Sequence, residues 1–417
     1  MKYCWILLAW SAMVSAQNFA YVVDSSNAVV YVVELLPAPD YGAVVGSIDI
    51  LDFGASDPGF LAFTPDGTYA YVSNFGSADL TILKCTSPNP SFVANLSIGN
   101  QPKQITFTPS GQSAFACNQG DNTVSVLDTS NPASPSEIHR IDVTPDGGLV
   151  PEGICTNQSG SQILVSCSIN GGPLLFYNAS SPWNHLATLT PGLPSYIATN
   201  SNRTTAYVTD VGDASVIFID MASQTQTGSF SNAMFSSNDT AAINPQNTVG
   251  AIYNPTGQTL YVFDALTGAE IGSTSVGPGN SLNGVAFSPD GSLIYVTNNF
   301  NSGIDVYSAS NPFPLLGSIS GFPYLQQLTS ITIQPTPTPI PPNDALQAAI
   351  LASAQTAAQQ NINLVESAIQ EIQNQTLQVG ILNITNGTYA DTVSPAIIDA
   401  TTQFTNLIPI IPVWCGN

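Results

Sequence analysis

Six short polar segments recur along the chain and hold most of the side chains able to grip a ligand. They read DSSNA (24–28), NFGSAD (74–79), NQGDN (118–122), DVGDA (210–214), NPTGQ (254–258) and NNFNSG (298–303). Within them Asp24, Asn74, Asp79, Asn118, Asp121, Asp210, Asp213, Asn254 and Asn298 are hard oxygen donors. Gathered round one axis, such amides and carboxylates suit calcium or the hydroxyls of a saccharide. No cofactor is predicted, and calcium is the one candidate these residue types suit. The bland alternative is that tight turns need these residue types, because Asn and Asp bond back to the chain and Gly accepts positive φ. The turn role is the favoured reading.

Catalytic side chains are scarce. The only histidines are His139 and His185, both in irregular sequence and neither in a metal-ligand spacing. There is no G-x-S-x-G elbow and no CxxC pair. Each histidine therefore reads as a structural or surface residue, and no catalytic residue is assigned. Cys85, Cys117, Cys155, Cys167 and Cys415 are disulfide candidates if the chain is exported. Cys117 and Cys167 occupy matching repeat places, and Cys155 and Cys167 fall on one expected hairpin. Equally, Cys117 and Cys155 fit as small buried apolar residues.

Charge removes whole classes of partner. Lys plus Arg number 5 against 27 acids, for a formal net charge of −22. Beyond Lys2 the cations are Lys84, Lys103, Arg140 and Arg203, too few and too scattered for a nucleic-acid stripe or a polybasic lipid contact. The first residues, MKYCWILLAWSAMVSAQ, combine a positive start, a short apolar run and a small-x-small end, the pattern of a signal peptide over 1–16. The expected location is secreted, extracellular or cell-surface, with the periplasm as a variant, and no integral membrane span is expected.

The elements that carry the polar segments repeat. Apolar anchors at Phe63, Phe107, Cys155, Ala198, Ile243 and Phe287 are spaced by about 43–48 residues, the period of a four-stranded propeller blade. After each anchor comes a turn, such as TPDG (64–67) or SPDG (288–291), and then an alternating strand, such as YAYVSN or LIYVTN. Pro presets the first corner, Asp bonds back, and Gly closes the hairpin. Six anchors give six blades. The segment 19–35 reads as a second and third strand without a first, and 328–335 as a first strand without successors. Joined, they make a seventh blade shared between the two ends. The expected fold is all-β: a seven-bladed propeller over 17–334.

These FxPDGxxxYVxN units resemble the YVTN family of β-propellers, found in secreted and surface-layer-type proteins, whose fold relatives include lactonase-like propellers. The resemblance spans Gln17 to Pro335 and is densest at 61–83 and 285–307. A phosphorylated substrate, which a lactonase-like fold suggests, wants Arg or Lys clamps. Here Lys103 stands alone and Arg203 falls in a turn on the opposite face, so a phosphorylated substrate is disfavoured, while a neutral lactone stays open.

A Pro-rich linker is expected at 335–342, an amphipathic helix at 343–376, and a hairpin with an apolar C-terminal tail at 377–417. The leading functional expectation is a non-enzymatic exported module that meets a protein partner or assembles with itself through 343–417. The alternatives are a lactonase-like hydrolase on the same fold and a calcium- or carbohydrate-binding protein.

Overall fold

The computed structural model describes residues 18–85, 88–169, 171–231, 240–254, 257–276, 284–299, 302–322 and 328–335. They form seven four-stranded antiparallel sheets. Blade 1 is built from both ends, in the order Leu328–Ile333, Asn18–Asp24, Val29–Leu35, Gly42–Asp49. Blades 2 to 7 are continuous, at 58–97, 102–142, 151–189, 194–231, 241–275 and 285–319. The first strand of each sheet lies innermost, against the first strands of its neighbours. The shared blade forms as expected, in the register Ala20 to Ile333, Val22 to Ile331 and Val23 to Ser330. The expected linker, helix, hairpin and tail, and the expected signal peptide, lie outside the described residues. Among the described residues no helix is long and apolar enough to cross a membrane.

Each letter of the repeated Tyr-Val-Ser/Thr-Asn strand has a separate physical task. The tyrosine packs edge-on against the anchor phenylalanine of the next blade: Tyr21 on Phe63 at 4.9 Å and Tyr71 on Phe107 at 5.0 Å between ring centroids. Its hydroxyl reaches a backbone carbonyl beyond, Tyr71 to Pro132 at 2.9 Å and Tyr207 to Ala265 at 2.8 Å. Valine fills the opposite face; Val72, Val208 and Val296 are wholly buried. The Ser or Thr clamps the inner strand: Ser73 accepts from the Phe60 N–H, Thr209 from Tyr196 and Thr297 from Gly284. The final Asn or Asp ties the turn that follows. A single sheet with two apolar faces cannot bury both alone, so the blades stack around an axis.

The cysteines take the bland role. Cys85, Cys117, Cys155 and Cys167 are free and buried, without a disulfide among the described residues. Cys155 pairs with Leu164 and Cys167 with Pro151, and the two belong to different core clusters on opposite faces of their hairpin. Cys117 and Cys167 share a cluster, but the Cys117 thiol points to the Gly153 carbonyl at 3.5 Å. Burial pushes the Cys85, Cys155 and Cys167 thiols up to about 12. Cys415 lies outside the described residues.

Candidate functional site at the channel mouth

The second-to-third strand turns and the connections between blades share one face, here called the upper face. They are sewn together by a repeated backbone bond, from Phe75 N to Asp57 O, Gln119 N to Gln101 O, Ser168 N to Val150 O and Val211 N to Leu193 O. Asp57, Gln101 and Val150 carry positive φ of 50°, 53° and 57° just before the proline that opens the inner strand. Such a conformation costs on the order of 1–2 kcal/mol per non-glycine residue, and the repeated bonds hold it in place.

All nine polar donors expected at a ligand site are on or beside this face, and most are occupied by the turns. Asn74 donates to Asp79 at 2.7 Å and Thr81 at 2.8 Å, and Asn118 to Thr123 at 3.0 Å and Ser125 at 2.9 Å. Asn298 donates to the buried Asp305 at 2.7 Å. Asp24 accepts from Ser26 and Asn27, Asp210 from Gly192, Leu193, Gly212 and Asp213, and Asn254 from Gly257. Asp121 accepts the Asn100 backbone and side-chain N–H groups, both at 2.7 Å, and lies 3.7 Å from Arg140. Asp213 touches this network through its backbone. Among the described residues no three acidic, His or Cys side chains converge as ion ligands.

A different set reaches the channel. In blades 2 to 5 the inner strand slips register near its start, between Pro58 and Phe60, Pro102 and Ile105, Pro151 and Gly153, and Pro194 and Ile197. A bulge of this kind re-aims side chains, and here it carries Gly59, Lys103, Glu152 and Ser195. Lys103, Glu152 and Ser195 thus occupy matching places on three successive inner strands at the upper mouth. Glu152 is held from two sides: Gln119 donates to one oxygen and Ser195 to the other, each at 2.9 Å. The Lys103 ammonium stands 4.8 Å from the Phe75 ring centroid and makes no ion pair among the described residues. Beside it opens a cavity of about 510 Å³, lined by Asp57, Phe75, Gly76, Asn100, Gln101 and Gly120 among others.

Deeper, the channel is crossed. Gln104 of blade 3 donates to the Ile197 carbonyl of blade 5 at 2.7 Å and accepts from Ile154 and Ile197 N–H at 3.1 and 3.3 Å. Beside it Gly153 packs so closely on blade 5 that a Cβ there would collide with the Ser195 carbonyl. Phe60 of blade 2 and Tyr196 of blade 5 stack at 6.2 Å. Burial pushes the Tyr196 phenol up to about 12, so it stays a neutral donor.

Both histidines are remote from this site, on outer strands at the seam of blades 3 and 4. His139 stacks on Trp183 at 4.1 Å, and His185 lies 3.5 Å from Asp146. The matching positions of Lys103 and Glu152 are hidden in the sequence when the repeats are aligned on the Phe anchors, which mark the lower end of the inner strands. Aligning DPG, QPK, VPE and LPS on their prolines (58, 102, 151 and 194) reveals them.

The sequence profile of the family described as Lactonase, 7-bladed beta-propeller matches residues 11–134. A provisionally assigned 6-phosphogluconolactonase from Bacteroides fragilis superposes with a TM-score of 0.64 at 11% identity, over 77% of this chain and 99% of that one. A second such protein, from Bacteroides uniformis, gives 0.62 at 12% identity over 76% and 99%. A functionally unknown protein from Desulfotomaculum acetoxidans gives 0.62 at 14% identity over 76% and 98%. No curated protein matches the sequence.

Proposed function

We propose that this chain, whose seven-bladed ring resembles the lactonase-like propellers, hydrolyses a small uncharged lactone at the upper mouth of its channel. The observation that carries the reading is the placing of Glu152 and Lys103 on adjacent bulged strands, with Glu152 fixed by Gln119 and Ser195. Glu152 takes a proton from water as the water oxygen attacks the ring carbonyl. The Lys103 ammonium stabilises the oxyanion that forms. The ring C–O bond then breaks, the leaving alkoxide is protonated from Glu152, and a hydroxy acid is released.

Charge argues for an uncharged substrate. Lys103 stands without an ion pair among the described residues beside Asp57 and Glu152, and the further cation near this face, Arg140, is taken up by Asp121 and Glu137. A phosphoryl dianion would want several cations and would meet carboxylates. This reading replaces the non-enzymatic module as the main proposal. Export, and a protein partner or self-assembly through 343–417, stay as separate proposals resting on the terminal sequences.

The test is initial-rate hydrolysis of five- and six-membered sugar lactones by proton release, above the spontaneous rate. Glu152→Gln is expected to lower kcat/KM by about 10²–10⁴-fold with an unchanged circular dichroism spectrum. Equal rates for the two proteins, or no catalysis by the unaltered chain, would remove the proposal.

A further inference from the structure

Arg203 occupies a turn position that the other blades give to small or amide residues. In the lower-face turns the equivalent residues are Gly67, Gly111, Gly160 and Gly291, with φ of 70°, 70°, 69° and 72°, and Asn247 at 61°. Arg203 adopts 56° and makes the same turn bond, from its N–H to the Asn200 carbonyl at 3.0 Å. A non-glycine residue is strained in that conformation, and the turn does not require arginine.

The side chain shows what the position serves. Nη1 donates to the Phe107 carbonyl of blade 3 and to the Thr156 hydroxyl of blade 4, both at 2.6 Å. Thr156 in turn donates to the same carbonyl at 3.2 Å. Nε and Nη2 have no hydrogen-bond partner among the described residues, and they are not sealed from solvent. No carboxylate of the described residues comes within ion-pair distance. Burial holds the guanidinium below its ordinary range, and the neighbouring Cys155 thiol, itself pushed up to about 12, supplies no counter-charge at neutral pH.

A guanidinium pinned through one terminal nitrogen presents its Nε–Nη2 edge, the edge that grips an oxyanion by two parallel bonds. We infer that Arg203 forms a second site, on the lower face, for a small oxyanion of the carboxylate or phosphate type. The Phe60–Tyr196 stack and Gln104 lie between this site and the upper mouth, so the two sites take their ligands from opposite sides.

The experiment uses the full chain at constant ionic strength, with chloride replaced stepwise by inorganic phosphate or by acetate. Thermal unfolding and calorimetric titration are the readouts. The unaltered protein is expected to show a saturable rise in midpoint and a saturable heat with at least one of the two anions. A response to both assigns a general oxyanion site, and a response to phosphate alone a phosphate site. Arg203→Gly, the residue four sister turns already use, is expected to fold normally and to lose the response. Arg203→Lys, which keeps the charge without the fork, is expected to bind about tenfold more weakly. Arg203→Gln serves as the second neutral variant should the glycine protein fold poorly. An undiminished response in the neutral variants, or none in the unaltered protein, overturns the site. Lactone hydrolysis measured in parallel is expected to be unchanged by Arg203→Gly, so failure of the upper-mouth proposal is read separately.

Discussion

At the scale of single residues, the same side chain serves differently according to which end of a strand it occupies. Asn74 and Asn118, at the upper ends of second strands, spend their amide N–H groups on third-strand hydroxyls, and Asp210 spends its carboxylate on backbone N–H groups of the connection between blades. Asp290, in the lower turn of blade 7, does likewise: it accepts the hydroxyls of Ser288 and Ser292 and the Ser292 N–H. The Ser288 hydroxyl, aided by Ser292, outweighs burial and holds the Asp290 carboxyl below the usual carboxylate range. A depressed folded value means that the stabilisation is present above the unfolded value and is lost as pH falls through the folded one. Asp290→Asn is therefore expected to be less stable at neutral pH and to lose less stability on acidification. Urea unfolding from pH 7 down to pH 2 checks this; parallel curves for the two proteins would contradict it. The nine donors were legible in the sequence, and so was the turn chemistry that holds them, since Asx turns follow from local spacing. Glu152 was not legible as a site residue, because its partners Gln119 and Ser195 come from the blades on either side.

At the scale of the strand, the repeated motif is a contract between neighbouring blades. Tyr21 and Tyr71 each pack on the phenylalanine of the next blade, and the hydroxyls of Tyr71 and Tyr207 each reach a carbonyl further out. Burial pushes the Tyr207 phenol up to about 12, so the group remains a donor throughout the working pH range. Tyr207→Phe keeps the ring and strands the Ala265 carbonyl, for a cost of about 1–2 kcal/mol. Tyr207→Ala also empties a fully packed site, for about 3–5 kcal/mol. Chemical denaturation of the two variants is expected to rank them in that order, and equal losses would show that the ring contributes little. Period-2 alternation made these strands readable, and the Pro-Asp-Gly turns fixed their ends. The inner-strand bulges were not readable. In blades 2, 4 and 5 a second-strand hydroxyl, Ser73, Ser166 or Thr209, captures an inner-strand N–H beside the bulge, and period alone does not reveal a slipped register.

At the scale of the whole described ring, function depends on closure. Blades 3, 4 and 5 bring Lys103, Glu152 and Ser195 together, while Phe60 of blade 2 meets Tyr196 across the channel. The relative placing of these strands follows from how many blades complete the circle. That number was legible because two incomplete blades, one at each end of the propeller sequence, each lacked what the other supplied. The finished blade also locks onto its neighbour: Gln334 donates to the Gly67 carbonyl at 2.7 Å and to the Cys85 carbonyl at 2.8 Å. The most direct measurement compares urea unfolding of the chain ended at Pro335 with that of the chain ended at Gln327, which lacks Leu328–Ile333. A shared blade predicts one cooperative transition for the first, and for the second a much lower midpoint and a shallower slope. Two curves with the same midpoint and slope would show that the ring does not need its last strand.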